Sequence, residues 1–160
     1  IEVFEKRHEV FERGGYKYGK VSGSEYLIRT YIELGEIEKA KRLIDSMYTF
    51  APQVRDRELI AIADALRGMQ LRAERKWQES IDHFEKSLQE SEDINLRRWG
   101  AYWFADRILV EYARVYLERD QEGDRGKANS LLNQALEIFQ RIGASRDIEM
   151  IIAKKKLLTA

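Results

Sequence analysis

The chain has 160 residues, 44% of them hydrophobic and 35% charged, which supplies enough apolar surface for a packed core and excludes a disordered chain. Its 28 Lys and Arg balance its 28 Asp and Glu, so no net field draws nucleic acid or an anionic membrane. The absence of Cys excludes disulfides, thiolate chemistry and cysteine metal sites, and a single Pro leaves helix unopposed along most of the length.

The chain starts at Ile1 rather than Met, and a piece of a longer protein is expected. Its first residues carry Glu2, Glu5, Lys6, Arg7, Glu9, Glu12 and Arg13, which is no signal peptide. Val3, Phe4, Val10 and Phe11 lie close to helical spacing and predict a helix over 2–13, halted by Gly14 and Gly15. A glycine-rich connector is expected over 15–23.

Ser24 is then read as the cap of a helix with an apolar face of Leu27, Ile28, Tyr31, Ile32 and Leu34, ended by Gly35. Its partner starts near Glu36 and presents Ile37, Ala40, Leu43, Ile44 and Met47, with Pro52 closing the pair. The pattern of 55–75 has a stripe of Leu59, Ile60, Ile62, Ala63, Leu66, Met69, Gln70 and Ala73. After a turn at Lys76 and Trp77, a helix over 77–91 turns Ile81, Phe84 and Leu88 inward.

The connector 93–95 leads into a long helical pattern over 96–118. The run 120–126, DQEGDRG, reads as a loop, and 127–142 as a helix with Ala128, Leu131, Leu132, Ala135, Leu136 and Phe139 inward. Gly143 stops it. A last helix, capped by Ser145, carries Ile148, Ile151, Ile152 and Leu157. No stretch alternates with period two between turn signals, so no sheet is expected. No apolar run approaches the roughly 20 residues needed to span a membrane.

Three of these helix pairs share a pattern. Ser24, Leu27, Ile28 and Tyr31 precede Gly35, then come Ala40, Ile44 and Pro52. Arg67, Gly68 and Leu71 precede Ser80 and Phe84. Leu109, Tyr112, Ala113 and Tyr116 precede Ala128 and Leu132. A small residue followed four positions later by a large one lets two helices approach closely and fills the adjoining groove. On these residues the chain resembles a tetratricopeptide-repeat protein over about 21–142, with the small residues spaced more widely than the 34 of the regular repeat. The third pair, with QALEIFQRIGASRDIE after it, looks like the arrays attached to bacterial and archaeal signalling ATPases and transcription regulators.

The resemblance implies an all-α, right-handed superhelical stack of antiparallel helix pairs with seven or eight helices. It implies one domain over 1–160, with a partial repeat and connector over 1–20, repeats over 21–54, 55–95 and 96–142, and a capping helix over 143–160. It also implies a cytoplasmic docking module of a regulatory protein, with no cofactor. The first pair alone, YLIRTYIELGEIEKAKRLIDSM, is also similar to a pentatricopeptide repeat, an RNA reader; the later pairs lose that pattern and the zero net charge argues against nucleic acid. Self-association is a further expectation, because a truncated array exposes apolar ends.

Several stretches invite chemical readings. The run 14–21, GGYKYGKV, has the spacing of a phosphate loop, but Val21 stands where Ser or Thr should bind Mg²⁺ and no strand precedes it. His8 and His83 lack metal-ligand spacing and are read as solvated. No Ser sits in a nucleophile elbow, and no enzyme activity is expected.

Partner binding has two candidate seats. One is the aromatic cluster of Trp99, Tyr102, Trp103 and Phe104, read either as core or as an exposed anchor. The other is the groove that the resemblance assigns to the first helix of each pair. It comprises Glu25, Arg29 and Ile32, then Ala65, Met69 and Arg72, then Arg107, Val110 and Arg114. Arg beside apolar residues suits an acidic peptide or a C-terminal carboxylate.

Overall fold

In the computed structural model of the chain, residues 6, 17–54, 57–93 and 108–159 are described. Among them the secondary structure is helical, in seven α-helices, with short turns between α1 and α2, α3 and α4, α5 and α6, and α6 and α7. In chain order these are α1 Lys17–Glu33, α2 Ile37–Val54, α3 Arg57–Ala73, α4 Trp77–Asp93, α5 Glu111–Arg119, α6 Asp124–Ile142 and α7 Ser145–Thr159. A π-turn at residues 108–110 leads into α5. The chain divides into two compact units, Ile1–Glu90 and Ser91–Ala160, and α4 runs across the boundary.

In the first unit α1 packs on α2 and α3, and α2 packs on α3. The core is Leu27, Ile28, Tyr31 and Ile32 of α1, Ala40, Ile44, Met47 and Ala51 of α2, Leu59, Ala63 and Leu66 of α3, and Ile81 and Phe84 of α4. Small residues set the α3–α4 approach. The Phe84 ring lies where a Cβ on Gly68 would come within 2.7 Å of it, so only glycine fits there without displacing the ring. On either side, Ser80 donates its hydroxyl to the Gly68 carbonyl and Ser87 donates to the Ala61 carbonyl, each at 2.7 Å. Both hydroxyls are buried and hydrogen-bonded, which offsets the cost of taking them out of water. An ion pair of Arg57 with Glu90 at 3.0 Å joins the start of α3 to the end of α4.

In the second unit α5 packs on α6, and α6 on α7. Val115, Leu132, Ala135, Phe139 and Ile151 are fully buried there.

Three turns have one construction. At Gly35 (φ 75°), Arg75 (φ 59°) and Gly143 (φ 73°) the chain enters the left-handed region. The N–H of each reaches back to Ile32, Arg72 and Gln140 at 3.1, 2.9 and 3.3 Å. The next N–H, of Glu36, Lys76 or Ala144, reaches Tyr31, Leu71 or Phe139 at 2.8, 3.0 and 2.9 Å. This pair of bonds satisfies carbonyls that the end of a helix leaves without partners.

The α5 end differs. Asp120 (φ 49°) makes one return bond, to Tyr116 at 3.0 Å, and the loop runs on to Gly123 (φ 83°) before α6 begins. Burial nonetheless keeps step: Ala40, Ile44, Met47 and Ala51 on α2 match Ser80, Phe84, Ser87 and Ser91 on α4, and Ala128, Leu132, Ala135 and Phe139 on α6. The α5–α6 pair carries extra residues, 121–123, in its turn.

Several boundaries differ from the sequence reading. The connector expected over 15–23 is helical from Lys17 onward, so Ser24 is a buried residue inside α1 and not its cap. Leu34, at the end of that helix, is exposed rather than inward. Pro52 lies within the last turn of α2, which continues to Val54. The 120–126 loop is shorter than expected, because 124–126 already belong to α6, and Ala73 and Ile152 face solvent.

Candidate functional site

The groove residues assigned by resemblance have unequal fates. Arg29 on α1 and Arg114 on α5 are half-buried. Met69 and Arg72 on α3 were expected on an open surface and are 2% and 6% exposed. The reason is the position of α3, which is covered by α1, α2 and α4 and buries most of its circumference. Glu25, Ile32, Ala65 and Val110 are buried as well. Trp99, Trp103 and Arg107 lie outside the described residues, as do His8 and the first residues of the phosphate-loop-like run. The Lys17–Lys20 part of that run is helical, which is not the open cradle a phosphate loop requires.

Arg114 is held on its own helix by Glu111, at 3.1 Å to both carboxylate oxygens, and by Glu118 at 3.6 Å. These are local pairs on one face of α5, with Glu111 itself buried.

A constellation that periodicity does not show sits where α2, α3 and α4 meet. Asp64 stands in the apolar stripe of α3 between Ala63 and Ala65 and is 6% exposed. Tyr48 of α2 donates its hydroxyl to Asp64 Oδ1 at 2.6 Å, and His83 of α4 places Nδ1 2.7 Å from the same oxygen. Burial pushes the Tyr48 phenol well above its ordinary value, and the hydrogen bond to Asp64 adds to this, so the hydroxyl remains a donor.

Beside this group, Arg67 lies over the Tyr48 ring at 5.7 Å, donates to Gln70 Oε1 at 2.7 Å, and pairs with Asp45 of α2. Gln70, fully buried, passes the chain on to Glu74 at 2.5 Å. A carboxylate at a core position is tolerated only with such partners, since an unpaired one would carry a large desolvation cost.

The second unit has its own buried carboxylate. Asp124, the first residue of α6, is 1% exposed and receives a fork from Arg119, Nε at 2.8 Å and Nη2 at 2.6 Å, plus the Gln121 N–H at 2.9 Å. The Arg119 hydrogen bonds hold its carboxyl below the usual carboxylate range, against the opposing effect of burial. Arg119 and Lys127 both stack on Tyr116, at 5.3 and 5.2 Å, and the Tyr116 hydroxyl meets that of Tyr112 at 2.9 Å.

Among the described residues no group of three or more His, Asp and Glu could hold a metal ion, and no helix is long and apolar enough to cross a membrane. No family model matches the chain, and neither a curated protein nor a solved structure matches it.

Proposed function

We propose that the chain is a helical-repeat docking module of the tetratricopeptide kind. In this reading its helix pairs form a right-handed stack within a cytoplasmic regulatory protein and hold a peptide or partner domain without turning over a substrate. The observation that supports this is the common register of the three helix pairs, whose buried positions recur at the same spacing although their residues differ. Elements repeated in this way bury one face against a neighbour and leave the other available for a partner.

The partner proposed is an acidic peptide or a C-terminal carboxylate. Arg29 in the first unit and Arg114 in the second, each on the first helix of its pair, are the candidate recognising cations, each within its own unit. The buried polar junction of Tyr48, Asp64 and His83 serves in this account to hold three helices in place.

The test is a fluorescence-anisotropy titration of acidic, carboxylate-ended peptides, with an amidated, neutral peptide and single-stranded RNA alongside. Saturable binding of the acidic set is expected, weakened at least about tenfold, or roughly 1.4 kcal/mol, in the Arg29→Ala, Arg114→Ala double variant whose melting is unchanged. Equal affinity in the double variant, or preference for RNA, would overturn the proposal.

A further inference from the structure

We draw no further inference here: the strongest candidate, the Tyr48–Asp64–His83 cluster where α2, α3 and α4 meet, directs its observed hydrogen bonds inward among its own side chains, and nothing in the structure shows what ligand or partner would meet His83.

Discussion

The two units solve the same problem, a carboxylate placed where water cannot reach it, in opposite ways. Asp64 in the first unit is satisfied from a distance: its partners Tyr48 and His83 come from different helices, 16 and 19 residues away along the chain. Asp124 in the second unit is satisfied locally, by Arg119 and the Gln121 N–H, five and three residues away. The first device ties three helices together. The second closes a single turn, the α5–α6 one, which among the described residues departs from the two-bond pattern at Gly35, Arg75 and Gly143. A long-range polar bond therefore stands in for apolar packing at a helix junction, whereas a local ion pair stands in for a tight turn.

The largest expected effect lies in the apolar part of the first unit. Phe84→Ala removes a fully buried ring from the α3–α4 crossing and is expected to cost about 4 kcal/mol, read by urea denaturation. A loss below about 1 kcal/mol would mean that the polar junction, and not the ring, fixes that crossing.

Next comes the local clamp. Asp124→Ala leaves the Arg119 guanidinium, only 13% exposed, without its carboxylate and should cost about 3 kcal/mol. Because the native Asp124 carboxyl titrates below its unfolded value, its contribution is fully present above the ordinary carboxylate range of about pH 4 and is lost as pH falls through the depressed native value. The wild type should therefore lose stability in acid more steeply than Asp124→Ala does, and parallel pH profiles would contradict the clamp.

The junction and the crossing it flanks should give intermediate effects. Tyr48→Phe deletes one of the two donors to Asp64 and is expected to cost about 2 kcal/mol, with the amides of α2 loosened more than those of α1. Gly68→Ala places a methyl 2.7 Å from the Phe84 ring and should cost about 2 kcal/mol. Recovery of that loss in a Gly68→Ala, Phe84→Leu double variant would locate the strain at the ring.

The smallest effects belong to the turns, and they should differ in sign. Gly35→Ala forces a side chain into the left-handed region and should destabilise by about 1 kcal/mol. Arg75 already sits there, so Arg75→Gly should be neutral or stabilising by a few tenths of a kcal/mol up to about 1 kcal/mol. A clear loss on Arg75→Gly would assign the arginine side chain a role beyond the turn.

Local periodicity carried much of the fold. The turns at Gly35 and Gly143 and the inward faces of α2, α4 and α6 were legible because apolar spacing and glycine punctuation are local signals. Gly19 and Gly23 misled as breakers, since a helix accepts glycine at about 1 kcal/mol apiece when its remainder is packed. Pro52 misled in the same way, because its effect on α2 is confined to the last turn.

The junction is less legible in the sequence. His83 has Asp82 and Glu85 as sequence neighbours and reads as a solvated position, yet its side chain is 24% exposed and turned onto Asp64. One signal was available: Asp64 stands among Ala63, Ala65 and Leu66, and a carboxylate at a core position demands partners from elsewhere. Which residues supply them depends on how α2 and α4 pack against α3, which spacing along the chain does not encode.

The claim that one two-bond turn at helix ends recurs in both units is tested most directly by amide hydrogen exchange. The account predicts that the Glu36, Lys76 and Ala144 amides, which close the return bonds to Tyr31, Leu71 and Phe139, exchange far more slowly than unstructured chain. It also predicts that Asp124→Ala abolishes protection at Gln121 while leaving those three unchanged. Exchange of any of the three at the free-chain rate in the folded protein would contradict a shared turn.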